Sequence, residues 1–96
     1  MSIHDSIDYY ESKKHQDELK RAREDHLKIV ECLKVNVPEE YKEVFRRNVL
    51  ANPFWVIEQH LGYGMYIRNL LRKKRFVYDD FVMDDLWIEW ASEALL

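Results

Sequence analysis

The chain has 96 residues, 47% hydrophobic and 34% charged, with a net charge of −3. This length suits one domain, not two, and the composition excludes disorder of the whole chain. The single cysteine, Cys32, excludes an internal disulfide, and the acidic balance argues against a general polyanion binder.

Two glycines and two prolines are too few turn residues for a β-rich fold of this size. The expected class is all-α: a small helical bundle with a long, partly projecting N-terminal helix. No apolar stretch approaches the roughly 20 residues of a membrane span, and residues 1–10 lack the basic start and apolar run of a leader. A cytosolic protein with no membrane partner is expected. Aromatics crowd between Tyr41 and Trp90, so the core is expected there.

Residues 1–34 read as one long charged helix. Asp17 with Arg21, Lys20 with Glu24, Arg21 with Asp25 and Glu24 with Lys28 sit at pairing distance along it. Leu19, Ala22, His26, Ile29 and Leu33 step by three and four, one buried stripe. Ile3, Ile7 and Tyr10 form a second stripe, turned from the first by roughly 200° at about 100° per residue. Either the helix breaks near Tyr10 or its first turns contact something else, a second copy being one candidate. A helix of about 30 residues spans about 45 Å, longer than so small a domain is wide, so its beginning should project.

Residues 35–96 read as a compact helical domain. Pro38 suits the first position of a helix, and Glu39 and Glu40 its positive end. Tyr41, Val44, Phe45 and Val49 are expected to face inward. Asn52 can cap a further helix beginning at Pro53, running through Phe54, Trp55, Ile57 and Leu61 to a C-cap at Gly62. The next helix should carry Met65, Ile67, Leu70 and Leu71 inward, with Arg68, Arg72 and Arg75 on the opposite side. Residues 76–83 fit either an extended or a helical linker. A final helix is expected from Asp84, with Asp85, Glu89, Ser92 and Leu96 outside and Leu86, Trp87, Trp90, Ala91, Ala94 and Leu95 inside.

Charge is unevenly spread. Residues 65–78 hold Arg68, Arg72, Lys73, Lys74 and Arg75 and no acid, whereas residues 79–96 hold only acids. The two blocks can attract each other within the fold, or the basic one can meet an anionic partner.

The least generic segment is His60-Leu61-Gly62-Tyr63-Gly64-Met65-Tyr66-Ile67-Arg68-Asn69. Two glycines one residue apart imply a tight bend, with one glycine at positive φ. His60 then comes close to the start of the next helix. The segment resembles H-x-G-x-G-[MT]-x-I-R-N, a motif of a family of small bacterial and phage domains of unknown function. The match is carried by His60, Gly62, Gly64, Met65, Ile67, Arg68 and Asn69, and Asp84-Asp85 resembles the family's later acidic pair. The resemblance covers about residues 50–96 and brings no established activity. It departs after Asn69, where Leu70-Leu71-Arg72-Lys73-Lys74-Arg75 replaces more polar or glycine-rich residues.

His60, Arg68, Asn69 and Asp84 can converge as a polar site, with Arg68 holding a phosphate or carboxylate and the following helix N-terminus adding N–H donors. They can equally be structural, with His60 capping carbonyls, Arg68 paired to Asp84 or Asp85, and Asn69 on loop backbone. Gly62-x-Gly64 lacks the third glycine and preceding strand of a phosphate fingerprint. No catalytic residue, metal or cofactor is expected. Cys32 lies among apolar neighbours, His4, His15, His26 and His60 lack metal-ligand spacing, and Glu39-Glu40 and Asp79-Asp80 read as helix-start charges.

Two functional classes remain. Arg68, Asn69, Arg72, Lys73 and Arg75, flanked by Tyr66, Phe76 and Tyr78, suit nucleic acid. The leading class is binding of another protein, or self-association as a homodimer, through Ile3, Ile7 and Tyr10, with Arg68, Arg72 and Arg75 as charged contacts. Core packing accounts for Phe45, Phe54, Trp55, Trp87 and Trp90, and less easily for Tyr9, Tyr10 and Tyr78. The resemblance adds an inhibitor or accessory role in a bacterial or phage complex.

Overall fold

A computed structural model describes residues 13–96, which measure 40 × 26 × 18 Å. The described residues form six helices and no strand: α1 (Lys13–Glu24), α2 (His26–Asn36), α3 (Glu39–Ala51), α4 (Trp55–Glu58), α5 (Tyr63–Lys73) and α6 (Asp80–Leu95). The all-α bundle is the architecture expected from the scarcity of turn residues. Ile3, Ile7 and Tyr10 lie outside the described residues.

The long N-terminal helix is not continuous. Asp25, at φ −88° and ψ 2°, interrupts it between α1 and α2, although the Asp25 N–H still donates to Arg21 O at 3.1 Å. The side chains around Asp25 fix this joint. The Tyr78 hydroxyl donates to Asp25 Oδ2 at 2.6 Å, and Arg21 donates to Val77 O at 2.8 Å with its guanidinium 4.7 Å from the Tyr78 ring centre. The loop before α6 thus clamps both helices. Arg21 also pairs with Glu18, not with Asp17 or Asp25.

The predicted stripe is real. Ala22, Ile29 and Leu33 are fully buried, and His15 extends it toward the start of α1. α1 and α2 lay this stripe against α6, and α2 with α6 makes the most extensive helix contact among the described residues. α6 answers with Trp87, Trp90 and Ala91, all buried. It starts four residues earlier than expected, at Asp80, because Asp79 accepts the Phe81 N–H at 3.2 Å and caps it. Val82 and Met83 therefore join the core as helix, and residues 76–79 form a connection without regular structure.

α3 contributes one fully buried side chain, Phe45. Val44 and Val49 are half-buried and Tyr41 is 45% exposed, so the broad inward face expected of this helix is narrow. Asn52 ends α3 and caps the turn leading into α4, accepting the Phe54 N–H at 3.1 Å, as its position before Pro53 suggests. α4 itself lasts only from Trp55 to Glu58 and does not reach Gly62.

Candidate functional site

The motif at residues 60–69 folds into a buckle between α4, α5 and α6. Its bend is made by Gln59 and not by a left-handed glycine: Gly62 has φ −99°, and neither glycine takes positive φ. The Gln59 carbonyl accepts the N–H groups of Gly62 (3.2 Å) and Gly64 (2.7 Å), and its side-chain oxygen accepts that of Tyr63 (3.3 Å). Two leading donors of α5 are thus satisfied within the chain and not free for an anion. Gly64 is needed for closeness. A Cβ there would sit 2.7 Å from the Trp87 ring and 2.9 Å from the Gln59 carbonyl oxygen.

Arg68 lies inside, 5% exposed, and not on the outer face expected for it. The reason is visible in its bonds. It donates to His60 O at 3.0 Å, stands 3.4 Å from His60 Nδ1, and faces Asp84 at 3.5 Å. A buried guanidinium with its donors directed at fixed acceptors ties the three helices together. One turn on, Arg72 bridges Asn69 Oδ1 (3.1 Å) and Asp80 (2.8 Å) at the surface. The structure thus brings His60, Arg68, Asn69, Arg72, Asp80 and Asp84 together around a shallow depression of 290 Å³. The basic and acidic blocks meet each other there.

Arg75 stands apart from Arg68 and Arg72. It is the only described non-glycine residue with positive φ, at 71°, just past the end of α5. Arg75 N–H donates to Arg72 O (3.0 Å) and Phe76 N–H to Leu71 O (2.9 Å), the paired bonds of a Schellman C-cap. Lys73, Lys74 and Arg75 are exposed and form no ion pair among the described residues, whereas Arg68 is buried and Arg72 paired, so the free basic surface is smaller than the run of charges suggests.

The surface that sequence reasoning missed lies at the end of α3 and on α4. Leu50 is 82% exposed, Phe54 69%, Ile57 65% and Leu61 72%. Their spacing of four, three and four looks like a core stripe, yet α4 turns the opposite side inward. Trp55 meets Phe45 (5.8 Å between ring centres) and Tyr63 (5.7 Å), which leaves Phe54 and Ile57 outside. Met65, expected inside, is 41% exposed as well. Beside Leu61, the residues Tyr41, Val44, Gly62, Tyr63 and Tyr66 line a hollow of 330 Å³. The Tyr63 hydroxyl donates to Tyr41 O at 2.8 Å, and burial, aided by the neighbouring Tyr66, pushes its pKa up to about 12.

Burial raises the pKa of the Cys32 thiol, and Asn36 bonds its sulfur. No group of three metal-binding side chains occurs among the described residues, and none of their helices is long and apolar enough to cross a membrane.

Compared with known proteins, the chain matches no family model, no curated protein and no solved structure.

Proposed function

We propose that this chain is a non-enzymatic protein-binding module whose contact surface is the ridge of Leu50, Phe54, Ile57 and Leu61. The observation that carries the reading is four large apolar side chains, each at least 65% exposed, within twelve residues of chain. A small domain with a thin core gains nothing by leaving such side chains in water; burying one of them contributes roughly 1.5–3 kcal/mol. Exposed apolar surface of this extent marks interaction sites, and the aromatic members beside it are the usual interface anchors.

The basic segment has less to offer. Arg68 is enclosed and Arg72 is paired with Asp80, so a nucleic-acid partner would meet mainly Lys73, Lys74 and Arg75. The accessory role in a bacterial or phage complex rests on the resemblance at residues 60–69 and on nothing in the geometry.

Tagged full-length chain is used to capture partners from lysate with and without nuclease. The expected result is a stoichiometric protein that survives nuclease, is lost on Ile57→Asp, and is kept on Lys73→Glu/Arg75→Glu. Capture lost with nuclease or with the basic-residue variant, and indifferent to Ile57→Asp, contradicts the reading.

A further inference from the structure

We infer that the ridge is a self-association surface, on which two copies of this chain pack about a two-fold axis with Leu61 of each entering the tyrosine-lined hollow of the other. The inference rests on the protein-binding reading above and names the partner.

Three observations favour a second copy. The first is shape. Leu61 is a projecting knob, 72% exposed, and its chain neighbour Gly62 forms part of the wall of the 330 Å³ hollow. A projection directly beside a hollow is self-complementary under two-fold rotation, because each copy presents the same patch to the other. Tyr41, Tyr63 and Tyr66 give the hollow apolar walls for a leucine side chain.

The second is charge. Arg47 lies beside Leu50 along α3, and Glu58 follows Ile57 on α4. Both are exposed, and neither has an ion-pair partner among the described residues. Exposed Glu43, also unpaired, lies there too, so the ridge is bordered by charges of both signs. A partner carrying a single sign of charge satisfies one flank and repels the other. A second copy brings its Glu58 to Arg47 and its Arg47 to Glu58, satisfying both.

The third is area. The four ridge side chains leave on the order of a few hundred Å² of apolar surface in water, the size of a functional patch on a monomer. Two copies that bury it together with the hollow make an interface below about 1,200 Å², the small and weakly associating class. That size predicts a reversible dimer.

Sedimentation of the full chain across a concentration series tests this. The expected result is a mass rising from one chain to two between roughly 1 and 200 µM, the range of a small interface. Ile57→Asp and Leu61→Ser should each weaken association tenfold or more without changing the helicity or melting temperature of the dilute, monomeric chain, since both side chains are exposed. Arg47→Glu and Glu58→Arg should each weaken it, and the two reversals together should restore it. A chain that stays monomeric over that range overturns the inference, as does a dimer indifferent to Ile57→Asp and Leu61→Ser. Failure of the double reversal to restore association overturns the two-fold arrangement. A monomeric chain that still captures a protein through Ile57 ends this inference and leaves the protein-binding reading standing.

Discussion

Gly62 and Gly64 share one motif but have different reasons to be glycine. A Cβ on Gly62 would meet only the tip of the Gln59 side chain, at 2.6 Å, and that tip can swing away. A Cβ on Gly64 would press on the Trp87 ring and on backbone, neither of which can yield. Gly64→Ala should therefore destabilise the fold by about 1–3 kcal/mol. Gly62→Ala should cost no more than about 1 kcal/mol, chiefly for the Gln59 bond to the Tyr63 N–H. Denaturant unfolding of the two variants measures the contrast; equal losses would show that the motif needs both glycines for the same reason. Arg75 poses the converse case, a side chain where glycine is preferred. Left-handed backbone costs an ordinary residue about 1–2 kcal/mol, partly offset by the greater entropy that glycine loses on folding. Arg75→Gly should raise stability by up to about 1 kcal/mol, and thermal unfolding reads the gain. A loss would mean that the Arg75 side chain contributes a contact worth more than the cap.

At the scale of elements, the joint between α1 and α2 depends on the loop before α6. Tyr78 is held there by burial and by its bond to Asp25, and both keep its hydroxyl protonated well above the usual phenol range. Burial does the same for Tyr63, up to about 12. The folded chain thus retains protons that the unfolded chain releases near pH 10. The stability these tyrosines contribute is fully present below that pH and falls as pH rises toward 12 and beyond. Near-ultraviolet titration should show some phenols ionising only as helicity is lost. Tyr78→Phe should flatten the alkaline decline while lowering neutral stability by about 1 kcal/mol for the lost bond. An unchanged alkaline limb in that variant would contradict the assignment.

The same two places show what the sequence revealed and what it concealed. Helical periodicity was enough for the stripe of Ala22, Ile29 and Leu33 and for the inner face around Trp87 and Trp90, because long helices with one wet face repeat their chemistry. Asn52 before Pro53 announced the end of α3 and the turn after it, but the helix expected from Pro53 begins only at Trp55, without a side-chain cap. Periodicity failed where a helix is too short to own a face. Leu50, Phe54, Ile57 and Leu61 repeat like a core stripe, but α4 has four residues and Trp55 takes its inward side. Tyr78 and Phe54 consequently exchanged expectations: the tyrosine is 5% exposed and the phenylalanine 69%. The meeting of Arg68 with His60 and Asp84 was legible in the sequence, but its burial was not, because helical spacing put Arg68 on the outer face with Arg72. The start of α6 at Asp80 was hidden for a simpler reason. Asp79 and Asp84 both precede apolar runs, and only the bond to Phe81 distinguishes the cap.

Across the described residues, charges compensate one another while several large apolar side chains stay in water. The basic end of α5 faces the acidic start of α6 through Arg68–Asp84 and Arg72–Asp80, which neutralises much of the segment that stands out by composition. Exposed apolar side chains gather in sequence around α4, at Leu50, Phe54, Ile57 and Leu61, and occur more sparsely on α2, at Leu27 and Val35. The motif therefore acts as a fastening, bringing α5 onto α6 and presenting the ridge from a rigid base. Polar replacement of the ridge should leave the fold intact, since its side chains contact water more than core.

Hydrogen exchange of the chain in its bound state, against the free chain, tests that claim most directly. New protection is expected over residues 50–66, with residues 68–75 unchanged. Protection centred on residues 68–75, or on residues 3–10, with none at Phe54 to Leu61, would contradict it.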